Sequence, residues 1–157
     1  MESNRFTQFG TFSVIVLSLF LLFSIVMGLT VGSTNKLVLL IYIVLSLIVL
    51  ISLLFFYKMV IEINSTNISF KLGIGIFGKS YHISEIESCK PVKDSFLNGW
   101  GIHKIRNGWF YNVTGFNALE LTFINTGKRI WIGTNKPNEI TEIINGLINK
   151  SHDPDSN

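Results

Sequence analysis

Between Gly99 and Gly115 the chain reads GWGIHKIRNGWFYNVTG, a stretch in which basic side chains and aromatic rings interleave at short spacing. Asn-Gly between alternating residues is a strong hairpin signal, because a type I′ turn needs positive φ at both central positions. With Asn107-Gly108 as that turn, Arg106 faces Trp109, Lys104 faces Tyr111 and Ile102 faces Val113 on one surface. His103, Ile105, Phe110 and Asn112 take the other. Lys104 and Arg106 on such a face can donate to phosphate-bearing lipid headgroups, with Trp109 and Tyr111 at the interface. The same face can equally be a solvated one with two cation–π pairs, worth about 0.5–1 kcal/mol each. The glycines suit turns and close backbone approach.

Little else in the chain has the residue types that chemistry needs. His82, His103 and His152 are not paired at a metal-ligand spacing, and Glu85 and Glu87 sit in a polar turn. Nucleotide-binding glycine loops, a nucleophile elbow and HExxH are all missing from the sequence. Gly73, Gly75 and Gly78 lie between strands rather than before a helix, which is the wrong context for a dinucleotide loop. Cys89, the single cysteine, reads as a small core residue rather than a reactive thiol. These observations point to a chain that is not an enzyme and uses no cofactor, metal or small-molecule substrate. Three Asn-x-Ser/Thr matches begin at Asn64, Asn67 and Asn112, and all read more simply as turn or strand-end residues.

The elements that must position this stretch begin with two apolar runs. Of the 157 residues 48% are hydrophobic and only 15% charged, and mean hydropathy is +0.44. Residues 12–31 and 37–57 carry no charge, and each is about the length needed to cross roughly 30 Å of hydrocarbon as a helix. The connector GSTNK is short, so the two helices are antiparallel neighbours. Ser24, Gly28 and Gly32 recur every four residues, a row that packs against the second span or serves self-association or docking onto a larger membrane protein. Arg5, Lys58 and Lys71 flank one side and Lys36 the other, which places both termini in the cytoplasm. The net charge of +3 is scattered, which argues against nucleic acid.

Residues 1–11 form an N-terminal segment with no assigned element, and residues 58–150 form a soluble unit. In the latter, Val60–Ile63, Ile68–Leu72, Tyr81–Ile83, the run near Cys89, Ala118–Asn125 and Lys128–Thr134 alternate as short antiparallel strands of a small barrel or sandwich. Ile140, Ile143, Ile144, Leu147 and Ile148 then make one helical stripe, which must cover something apolar, most simply the open end of a barrel. Glu139, Glu142, Asn145 and Asn149 fall on the opposite face. Residues 151–157 read as a disordered, solvated tail.

The Gly99-Trp100-Gly101-Ile102 run, the Asn107-Gly108-Trp109 turn with Tyr111-Asn112-Val113 and Gly115, Ala118-Leu119-Glu120-Leu121, and Ile132-Gly133-Thr134 before Pro137 together resemble bacterial pleckstrin-homology (PH)-like domains that follow two membrane spans. The resemblance covers about Val60 to Ile148 and implies an α+β chain. Its parts would be a transmembrane hairpin and an antiparallel barrel or sandwich of about seven strands, capped by a C-terminal amphipathic helix. It also implies a bacterial cell membrane and an interaction or assembly module with a protein partner or self-association. His103 stands where such domains often carry Arg. The alternative is a sensor of anionic lipid headgroups, less economical because a chain with two spans needs no lipid affinity to reach the bilayer.

Overall fold

The computed structural model of the chain describes residues 3–93, 101–113 and 115–152. Gly99, Trp100, Thr114 and most of the expected tail lie outside the described residues. Strand β1 (Asn4–Phe9) comes first, followed by helices α1 (Thr11–Thr30) and α2 (Lys36–Phe56). Then come strands β2 (Lys58–Ile63), β3 (Asn67–Leu72), β4 (Phe77–His82), β5 (Ile86–Lys93), β6 (Gly101–Ile105), β7 (Gly108–Asn112), β8 (Asn117–Phe123) and β9 (Arg129–Gly133). Helix α3 (Pro137–His152) ends the described chain, including two residues of the expected tail.

Helices α1 and α2 are long and apolar enough to cross a membrane. Only 11% and 6% of their most apolar windows are buried, far too little for core helices of a globular unit. Asn35 caps α2 by accepting from the Leu37 N–H at 2.9 Å. The small residues of α1 lie against α2: Ser24 Oγ is 2.7 Å from Ser46 Oγ, Gly28 faces Tyr42 and Gly32 faces the backbone of Leu39. A Cβ at Gly32 would meet the Leu39 Cα at 2.9 Å, so the helices could not stay this close with a larger residue there.

Two sheets follow, in the orders β1-β2-β3-β4 and β5-β8-β9-β7-β6. They do not close into a barrel. One neighbouring pair, β7 with β9, is parallel, so the all-antiparallel expectation fails there. At Gly108 any Cβ would collide with the Arg129 carbonyl, so glycine is what lets β9 approach β7 this closely. With about seven strands expected, the described residues hold nine.

One strand outside the expectation is β1, which alternation alone does not reveal. It pairs with β2 from Asn4↔Ile63 to Phe9↔Lys58, and the Gly10 N–H donates to the Tyr57 carbonyl at 2.9 Å. Gln8 is buried; its Nε2 donates to Thr134 Oγ1 at 2.7 Å and its Oε1 accepts from the Asn135 N–H at 2.9 Å. The N-terminal segment is thus part of the sheet unit, tied to the loop that starts α3.

Between the sheets lies one apolar core containing Met59, Ile61, Phe70, Leu72, Tyr111, Leu119, Leu121, Ile130 and Ile132. Ile140, Ile144 and Ile148 of α3 close it beside β5 rather than at a barrel end. Edge strand β5 would leave Cys89 backbone groups open. Asn145, expected on the solvent face, instead accepts from the Cys89 N–H at 3.1 Å and donates to its carbonyl at 3.0 Å. On edge strand β4, Lys79 points inward with its Nζ 5.4 Å from the Tyr111 ring centroid, which discourages sheet extension.

Burial beneath α3 pushes the Cys89 thiol up to about 11, against an ordinary value of 9.0; Thr141 partly offsets this and Glu120 adds to it. The folded thiol keeps its proton to higher pH than the unfolded one. Its contribution to stability is therefore full below pH 9 and lost as pH rises to about 11. Denaturant titrations of the full chain in detergent should show this alkaline decline, and Cys89→Ala should flatten it. An identical decline in the variant would contradict the assignment.

Candidate functional site

The β6–β7 hairpin turns one step earlier than Asn-Gly suggests. Arg106 and Asn107 form the loop, Ile105 pairs with Gly108, Lys104 with Trp109 and Ile102 with Tyr111. Asn107 alone of the two turn-signal residues takes a positive φ, of 65°. Gly108 is spent on the approach of β9 instead. Arg106 therefore does not face Trp109, nor Lys104 Tyr111. The slip preserves which side each strand residue takes, because both strands shift together.

The expected basic–aromatic face nevertheless divides. Tyr111 is 1% exposed and sits between the sheets, its ring 4.7 Å from that of Phe70 and 5.9 Å from that of Phe77. It is a core residue and cannot meet a ligand. Trp109 is 41% exposed on the rim of that inner side, and Lys104 and Arg106 are exposed at the hairpin end. The opposite side of the hairpin holds a more organised arrangement. His103 stacks edge-on to Phe110 at 4.9 Å, and Phe110 edge-on to Trp131 at 5.6 Å. Parallel pairing of Phe110 with Trp131 brings β9 into the site.

His103, Lys104, Ile105, Arg106, Arg129 and Trp131 line a groove of about 300 Å³. Glu120, on the neighbouring strand β8, organises one wall. Its Oε2 accepts from the Trp131 indole N–H at 2.6 Å and lies 3.7 Å from Arg129 Nη1. Among the described residues, Lys104 and Arg106 form no ion pair. Both ring nitrogens of His103 are buried from solvent and without a hydrogen-bond partner among the described residues. A buried polar group left so costs about 1–3 kcal/mol. Arg106 and Arg129 beside an aromatic floor suit a carboxylate or phosphate.

Arg129 and Trp131 escape notice in the sequence because they join the site through a parallel pairing of strands about 20 residues apart. Alternation in KRIWIG does place Arg129 and Trp131 on one side, which is the only local signal. Of the other singled-out positions, Asn112 is buried, its Nδ2 donating to the Gly115 carbonyl at 2.6 Å, and Asn64 Oδ1 accepts from the backbone of Thr66 and Asn67. Both are structural. No group of three metal-ligating side chains occurs among the described residues. Comparison with protein families, with characterised proteins and with solved structures finds no match for this chain.

If the imidazole nitrogens are kept for a ligand, removing them should help the fold. His103→Phe keeps the ring edge on Phe110 and is expected to raise the thermal unfolding midpoint of the full chain in detergent by a few degrees. A fall of several degrees would show that His103 serves packing or an internal hydrogen bond.

Proposed function

We propose that this chain is a membrane-anchored, non-catalytic interaction or assembly module of PH-like type, whose groove at His103, Arg106 and Arg129 receives acidic side chains of a protein partner or of a second copy. Two sheets followed by a C-terminal helix, after two spans, support the PH-like reading. The exposure of both apolar helices supports the membrane anchor. A cytoplasmic position for the domain rests on the distribution of Arg5, Lys58 and Lys71 around the spans.

The observation that carries the choice of partner is the position of the groove along β6. A Cβ at Gly101 would stand 3.7 Å from the Phe56 ring at the end of α2, whereas Arg106 follows the far end of the strand. Four residue steps at about 3.3 Å separate the two ends of β6 by roughly 13 Å. A headgroup layer is only about 5–7 Å thick on each side of the hydrocarbon. The cationic groove thus favours a partner beyond the membrane surface over lipid headgroups of the same leaflet, and the lipid sensor stays the less economical reading.

A photo-crosslinking residue in place of Ile105, in the full chain in native membranes, should yield adducts of discrete protein mass. Arg106→Glu combined with Arg129→Glu should reduce them at least several-fold, and an adduct at twice the chain mass would identify self-association. Lipid adducts alone, or protein adducts indifferent to charge reversal, would contradict the proposal.

A further inference from the structure

The β3–β4 turn is built in a way that the interaction reading does not need. Its residues Gly73, Ile74, Gly75 and Ile76 join two strands of a sheet whose inner side is well covered, yet Ile74 is 53% exposed and Ile76 74%. The turn is also held directly on the apolar hairpin. The Ile74 N–H donates to the Leu54 carbonyl at 3.2 Å, and the Gly73 N–H donates to the Lys58 carbonyl at 2.7 Å. Gly73, with φ +56°, comes so close that a Cβ would collide with the Leu54 carbonyl and stand 2.8 Å from Phe55 Cα. Two independent constraints, positive φ and backbone contact, therefore hold this turn against the last turn of α2.

That contact sets a depth. Helix α2 has 21 residues, about 31 Å at 1.5 Å per residue, which nearly equals a hydrocarbon core of roughly 30 Å. Leu54 is itself an exposed apolar residue of that helix. A turn bonded to Leu54 lies at the level of the helix's final turn, where the hydrocarbon ends. Across the helix pair, Ile102 of β6 shares a groove with Ser13, Val16, Leu17 and Phe56, so the domain meets the hairpin at the same level on a second side. At the level above, Lys58 extends over the Tyr57 ring at 5.2 Å, the residue pair expected where acyl chains give way to phosphates.

We propose that Ile74 and Ile76 are inserted into the bilayer at the boundary between acyl chains and headgroups, making the β3–β4 turn a third membrane contact beside α1 and α2. The occupant of this exposed apolar surface is lipid, because the surface is continuous with that of α2 and edged by Lys58. Three contacts fix the tilt of the sheet unit and so hold the distal groove at a constant height. This inference rests on the membrane reading of α1 and α2.

Nitroxide labels at Ile76→Cys, Thr126→Cys and Leu47→Cys, each in the full chain reconstituted in bilayers of phosphatidylcholine and phosphatidylglycerol, separate the possibilities. The wild-type chain, whose single cysteine is buried, serves as the blank. The ratio of collisions with oxygen to collisions with a water-soluble nickel chelate should be at least threefold higher at Ile76 than at Thr126, on the distal β8–β9 turn. It should be highest at Leu47, in mid-helix. A lipid-like ratio at Leu47 with a Thr126-like ratio at Ile76 would overturn the third contact and leave the anchor standing. A water-like ratio at Leu47 would overturn both. Shielding of Ile76 from both reagents would show a protein surface there and overturn the inference as well.

Discussion

The pairing of β1 with β2 anchors both long helices to the sheet unit. Two apolar helices leave the sheet from adjacent antiparallel strands, with only Gly10 and Tyr57 between strand and helix on either side. There is no length of chain in which a flexible tether could form. A Cβ at Gly10 would press on the carbonyls of Phe56 and Val113, at 2.5 and 2.7 Å, so the junction tolerates no larger residue without moving. Gln8 then ties the same strand to the start of α3. Each neutral hydrogen bond of this kind contributes about 0.5–1.5 kcal/mol, and together they join the first strand to the last strand–helix connection.

From this clamp the sheet unit acquires two unlike ends. The end at the helices is apolar, with Ile74, Ile76 and Ile102 displayed around the helix bases. The far end gathers Arg106, Arg129 and Lys104 beside His103 and Trp131. The architecture displays this cationic groove in a fixed orientation, at the end of the sheet unit away from the two apolar helices. Glu120 pins Arg129 and Trp131, so that one cation and the indole are held in place.

How much of this was legible in the sequence depended on how local the signal was. The apolar runs gave both long helices to within a residue or two, since hydropathy over 20 residues depends on nothing outside the window. The Ile140–Ile148 stripe gave α3 for the same reason. Strand β1 was hidden because NRFTQF has little apolar alternation and takes its partner from beyond two intervening helices. The hairpin was foreseen but its loop was misplaced, because the glycine of Asn107-Gly108 answers to Arg129 on a distant strand rather than to its own turn. Tyr111 looked like a surface ring for a related reason: nothing local to it announces Phe70 and Phe77 across the core. The groove emerged only once β7 and β9 were placed side by side.

The clamp can be tested by removing what it holds. Replacing residues 10–57 with an Asn-Gly turn joins Phe9 directly to Lys58 across a two-residue loop, the length that this register accepts. The resulting chain should be a soluble, cooperatively folding unit, and its unfolding midpoint in urea should lie well above that of the fragment beginning at Lys58, which lacks β1 and leaves β2 as an open edge. Equal midpoints for the two would mean that Asn4–Phe9 adds nothing to the sheet, and would contradict the account of how the hairpin is fixed to its domain.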